Sequence, residues 1–207
     1  MFARTVAVAG LALGFAQAET LDRIAVSMGQ DVITESQLIL DLRVVAFLDR
    51  KPVNLSGAAR RESAQRLVDQ ILIRREAAES HMTLPSTEAA AGLVAPYAAE
   101  KGFPADLKRY GISESDLAAH LLAGLRMLTF TDLRFRPDIQ ISADEVRAYY
   151  DGLSRQSGPA APLGSFDESR EQIEKLLLEQ RVLEALDKWL ETARTTAKIR
   201  YRDKAFE

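Results

Sequence analysis

Cysteine is absent from the 207 residues of this chain. Its absence excludes a disulfide framework, a thiolate-held zinc or iron–sulfur centre, and a thiol nucleophile. Histidine is scarce as well. The 2 present, His81 and His120, exclude a three-histidine metal site within one chain. Aromatic residues are only 7%, with one tryptophan, Trp189. Neither sign of charge dominates: 27 Lys and Arg stand against 30 Asp and Glu, a net charge of -3. Acids and bases are mixed along the chain, which argues against a dedicated nucleic-acid binder. After Ala18 no apolar run is long enough to span a bilayer. No P-loop, G-x-S-x-G, H-E-x-x-H or G-x-G-x-x-G pattern occurs. What remains is ordinary globular composition, 47% hydrophobic and 28% charged, which excludes wholesale disorder.

The chain opens with the three parts of an export signal in order. Arg4 supplies the positive start. Val6 to Phe15 forms an apolar run too short to cross a membrane. Ala16-Gln17-Ala18 is a small-x-small cleavage pattern. Residues 1–18 therefore read as a signal peptide, cut between Ala18 and Glu19. The expected product, 19–207, is one soluble exported domain, most simply periplasmic. Without cysteine it carries no lipid-attachment site.

The mature chain reads as strand, helices, strand. Arg23 to Ser27 alternates, Gly29-Gln30-Asp31 is turn chemistry, and Val32-Ile33 follows, which predicts a small hairpin. Thr34 and Gln37 form a capping box for a helix to about Leu48, with Leu38, Leu42 and Val45 on one face. A longer helix is expected from Ser56 to Ser80. Its apolar face is Leu67, Ile71 and Leu72, and Arg60, Arg61, Arg74 and Arg75 stay solvated. Helices follow over Ala89–Glu100, with Pro96 as a kink or early stop, and over Pro104–Tyr110. The next starts at Ser113 and runs to Phe135 with Leu117, Leu121, Leu125 and Leu128 on one stripe. Ser142 and Glu145 cap a short helix through Tyr150. Asp151 to Ser165, rich in Gly, Ser, Pro and Ala, reads as a linker. The last helix, Asp167–Ala197, carries one stripe of Ile173, Leu176, Leu183, Leu186 and Leu190. Leu178, Val182 and Trp189 make a second. Lys198 to Arg202 alternates as a strand. Isolated short strands are unstable, so the C-terminal one should pair with the N-terminal hairpin. The fold class expected is mainly α with a small sheet joining the two ends.

Candidates for chemistry are few. His81 ends the second helix and reads as a surface histidine. His120 lies one turn after Asp116 and reads as a local helix contact. Asp144 and Glu145 are explained by helix capping and the helix dipole. No catalytic residue, metal ligand or cofactor site is expected.

The order of these segments resembles the SurA-type periplasmic chaperones, a family of parvulin-containing foldases. Leu21 to Val26 with Gly29 to Leu38 is similar to that family's N-terminal signature, and Arg66 to Ile73 to its second-helix pattern. Gly111-Ile112-Ser113 with Asp116-Leu117 resembles its later helix start. Ile141 to Asp151 looks like the junction that leads into the first parvulin domain. The last helix and Ile199-Arg200-Tyr201 resemble the segment after the isomerase. Here the 151–165 segment is all that lies between the flanking helices. It is too short to bury an isomerase core and contains no His or Cys. The resemblance therefore implies the chaperone module, fold included, without the enzyme.

That resemblance implies an ATP-independent holdase for unfolded exported polypeptides, outer-membrane protein precursors above all. Binding of extended client segments falls to soft or aromatic apolar groups: Met82, Tyr97, Phe103, Met127, Phe130 and Phe135. Taken singly, each such side chain more commonly fills a core. An apolar cleft bounded by the 113–135 helix and the last helix is the surface that would support client binding. Two other readings share these features. One is an isomerase-related protein with residual activity. The other is an assembly subunit for one folded partner, including a homodimer that exchanges its terminal helix or strand.

Overall fold

The computed structural model describes residues 22–157 and 164–207. The predicted signal peptide, with its cleavage point at Ala18 and Glu19, lies outside them. Strand β1 (Ile24–Met28) and strand β2 (Asp31–Thr34) form a hairpin. Gly29 takes a φ of +61° at the first of its two turn positions, where such hairpins favour glycine. Met28 faces Asp31 and Val26 faces Ile33 across the pair. Strand β3 (Arg200–Tyr201) adds antiparallel to the other edge of β1, with Tyr201 opposite Val26. The sheet order is β2-β1-β3, so both ends of the described chain meet in one sheet, as the alternating segments predict.

Between β2 and β3 come seven α-helices, which make the described chain mainly helical. They are α1 (Glu35–Asp49), α2 (Gly57–Glu79), α3 (Ala89–Ala98), α4 (Phe103–Tyr110), α5 (Glu114–Phe135), α6 (Ala143–Ser157) and α7 (Phe166–Thr196). Capping boxes set four of the starts. Thr34 caps α1 with Gln37, Ser113 caps α5 with Asp116, and Ser165 caps α7 with Glu168. At α6, the Ser142 hydroxyl accepts from the Glu145 N–H while the Glu145 carboxylate accepts from the Ser142 N–H. That last pair holds the Glu145 carboxyl below its ordinary value, chiefly through the Ser142 N–H. Gly102 and Gly111 flank α4 in the left-handed region.

Three apolar clusters hold the elements together. Ala25, Val26, Met28 and Ile33 of the hairpin pack on Val68 and Leu72 of α2 and on Phe206. Val44 of α1 meets Val94, Phe103, Leu107 and Leu117. Ile73 and Ala77 of α2 meet Phe130 of α5 and Leu186 and Leu190 of α7.

Several expectations are corrected. The linker starts later than composition indicates, because α6 runs on through Asp151 to Ser157; the rest, 158–163, lies outside the described residues. The long α7 stripe divides. Ile173, Leu186 and Leu190 are buried, while Leu176 and Leu183 are 40% and 54% exposed. Ile173 and Leu186 point about 140° apart around a helix axis. The first half of α7 packs on α6 and the second half on α2 and α5. On α5, Leu117 is buried but Leu128 is 58% exposed, and Leu122 and Phe130 are buried instead.

The arginines of α2 are not merely solvated. Arg75 donates to the Met28 carbonyl at 2.8 Å and to Asp31, and Arg74 also meets Asp31. Arg60 donates to the carbonyl of Ala205 at 3.1 Å, and Arg61 lies over the Phe206 ring. A 3-10 turn over Asp203–Phe206, which the sequence pattern does not announce, tucks Phe206 against α2. Gly57 makes this possible: a Cβ there would collide with the Phe206 carbonyl oxygen. Gly57→Ala is expected to lower the unfolding free energy by about 1–2 kcal/mol. Urea denaturation measures this, and an unchanged midpoint would mean that the C-terminal turn yields at little cost.

Candidate functional site

One surface cleft follows α2. At its C-terminal end a cleft of ≈ 510 Å³ lies between α2 and α5, under the segment that joins α2 to α3. Ile73, Ala77 and Ala78 of α2 and Ala119, Ala123 and Met127 of α5 line it. Met82, Leu84 and Pro85 close its rim. Alanines make the floor shallow, and the two methionines make the edge adaptable.

A second hollow of ≈ 230 Å³ continues toward the middle of α2. Leu40, Asp41 and Val44 of α1, Leu67 and Gln70 of α2, and His120 of α5 line it. A third, of ≈ 180 Å³, adds Val32 and Ile33 of β2. Gln70 borders all three. The three hollows adjoin at Gln70, and together they make up a trough beside α2, between the sheet and Met82. No side-chain hydrogen bond ties Gln70 to another described residue. An amide in that position can pair with the backbone of an extended chain.

The trough's walls are fixed by one polar cluster. Asp41 is 5% exposed. Its Oδ2 accepts from Arg66 Nη2 of α2 at 2.6 Å, and His120 Nδ1 of α5 stands 3.4 Å from its Oδ1. One buried carboxylate thus links α1, α2 and α5. Burial raises the Asp41 carboxyl, but His120, Ser63 and Arg66 outweigh it and hold the group below its ordinary value. This corrects the reading of His120: its partner is Asp41 on α1, not Asp116 one turn away. The pairing crosses three helices, so no local spacing signals it. His81 stays an exposed helix-end residue with a φ of +56°.

The six apolar residues expected to bind clients fall into three places. Met82 and Met127 line the cleft. Phe130 is fully buried, with Trp189 at 5.1 Å and Phe135 at 5.9 Å between ring centroids. Phe135 is half-buried on the same cluster. Tyr97 and Phe103 surround Phe47, each 6.2 Å away, where Phe103 is buried. Phe130 and Phe103 are therefore core residues. The expected cleft between the 113–135 helix and the last helix is filled by the Phe130, Phe135 and Trp189 rings. The open cleft lies on another side of α5, against α2. The alanines, Gln70 and the Arg side chains of its wall were missed because they carry no apolar bulk.

Asp144 and Glu145 do not form a carboxylate pair for acid–base chemistry, since Glu145 caps α6 and meets Arg181 of α7. Among the described residues no cluster of His, Asp and Glu is arranged to hold a metal ion. No described helix is long and apolar enough to cross a membrane. Comparison with known protein families, with curated proteins and with solved structures finds no match to this chain.

Proposed function

We propose that this chain is an ATP-independent periplasmic chaperone of the SurA type, without an isomerase domain, that holds extended segments of unfolded exported proteins. The observation that carries the reading is the set of three adjoining hollows along α2. Its cleft has an alanine-rich floor edged by Met82 and Met127, and Gln70 stands where the three hollows adjoin. Such a surface favours many weak contacts over one deep pocket. Ordering a flexible client offsets part of each contact, so release needs no driven step. Supporting the family reading, the strand at the chain's end pairs with the N-terminal hairpin. The junction where a parvulin domain would enter is short: Tyr150 Oη donates to the Gly164 carbonyl at 2.9 Å across it.

The purified protein should slow the aggregation of an unfolded outer-membrane protein diluted from urea, followed by light scattering. Met127→Asp is expected to weaken client affinity by about 1 kcal/mol, or about fivefold. Failure of the unaltered protein to slow aggregation defeats the reading. Mass spectrometry of the exported protein tests cleavage between Ala18 and Glu19. A competing reading is a homodimer or assembly subunit, favoured by the exposed Leu176 and Leu183 of α7. A molar mass of twice the chain in solution would support it.

A further inference from the structure

The cleft at the C-terminal end of α2 is lined by two cations and no acid, whereas the hollows beyond it are lined by Asp31, Asp41 and Asp116. Arg74 of α2 and Arg126 of α5 both line it, and no Asp or Glu does. The imbalance runs against the chain as a whole, whose net charge is -3. Arg74 has Asp31 as a partner at 3.2 Å. Arg126 forms an ion pair with no carboxylate among the described residues. Its helical neighbours three and four positions away are Ala123, Leu122, Thr129 and Phe130, all uncharged.

Arg126 is also half-buried and held still. Its Nε donates to the carbonyl of Pro85 at 2.8 Å. A guanidinium that is partly desolvated, fixed at one nitrogen and unpaired is costly to keep. Its two terminal nitrogens remain for a ligand, in the fork that matches a carboxylate. Beside them lie Ala119, Ala123 and Met127, which suit an apolar side chain.

We infer that this cleft selects client segments in which an Asp or Glu stands next to an apolar residue. The carboxylate takes the Arg126 fork, with Arg74 as the second positive charge. The neighbouring apolar side chain rests on the alanine floor, and Gln70 pairs with the client backbone. From Leu67 to Ala78 the trough is about 17 Å long at the helical rise. That accommodates about five extended residues. The inference rests on the trough being the client site.

The test uses two fluorescein-labelled decapeptides, one with a glutamate between leucines and one with glutamine in its place, read by fluorescence anisotropy. The glutamate peptide is expected to bind about tenfold tighter, the worth of one charge-assisted pair. The preference should shrink as salt is raised, which requires no variant. Arg126→Gln should bring the ratio close to one, Arg126→Lys should restore part of it, and Arg74→Gln should reduce it less. Circular dichroism checks that each variant is folded. Equal binding of both peptides by the unaltered protein overturns the acid selectivity and leaves the chaperone reading standing. A preference untouched by Arg126→Gln also overturns it. Suppression of aggregation without binding of either peptide overturns the placement in this cleft. Loss of both activities removes the chaperone reading as well.

Discussion

Phe130→Ala is expected to lower the unfolding free energy by about 3–5 kcal/mol, the range for an aromatic ring removed from a closed core. The ring is fully buried where α5 crosses α7, and it contacts both Phe135 and Trp189. Ile73 and Ala77 of α2 close the same cluster. Three helices therefore share one side chain, and alanine would leave a cavity between all three. Trp189 is the chain's single tryptophan, so its fluorescence reports this site without interference. The variant should show red-shifted emission before unfolding and an earlier urea midpoint. Phe130→Leu should cost less, because it keeps most of the volume. An alanine variant with the parent's midpoint and emission would show that the α5–α7 contact carries little of the stability.

Asp41→Asn should cost about 2–3 kcal/mol at neutral pH. Breaking a buried ion pair typically costs about 3–5 kcal/mol. Here the Asp41 side chain is 3% exposed but Arg66 is 37% exposed, so solvent screens part of the loss. The pH dependence has a defined sign. The folded carboxyl lies below its ordinary value of 3.8. Its contribution is therefore fully present above pH 3.8 and is lost as pH falls through the lower folded value. The stability difference between the parent and Asp41→Asn should shrink below pH 3.8. Denaturation at stepped pH measures it, and a difference that stays constant in acid would assign the stabilisation to packing. Combining Asp41→Asn with Arg66→Gln should cost less than the sum of the two, since neither then leaves the other unpaired. Because this carboxylate links α1, α2 and α5, its loss should also weaken the peptide binding proposed for the trough.

The local signals in the sequence were reliable where the physics is local. Each capping box joins a hydroxyl to a residue three positions on, and all four sit at helix starts. The pairing of the end strands was legible because short alternating segments need a partner. What failed was anything decided by a distant element. Gly152 and Ser154 resemble a linker, yet they lie in α6, which α7 covers. Leu176 and Leu186 share a stripe by spacing, but different neighbours choose which is buried. The arginines of α2 look solvated until the carbonyls of Met28 and Ala205 come within reach. The site followed the same rule. Met82 and Met127, singled out by their chemistry, line the cleft, whereas its alanine floor and the Asp41 junction arise only when α1, α2 and α5 are brought side by side.

The central position of β1 has a consequence for how the molecule is made. Val26 is paired on one side with Ile33, a few residues later, and on the other with Tyr201. The hairpin and α1 are neighbours in sequence, while the second partner of β1 comes after all seven described helices. Until that partner joins, one edge of β1 offers unpaired backbone groups, a template for misplaced strands. Closing that edge joins positions far apart in sequence, which costs more loop-closure entropy than closing the hairpin. Completion of the sheet therefore couples distant parts of the chain: β1 meets β2 through a local turn, but it is secured on both edges only when β3 joins it.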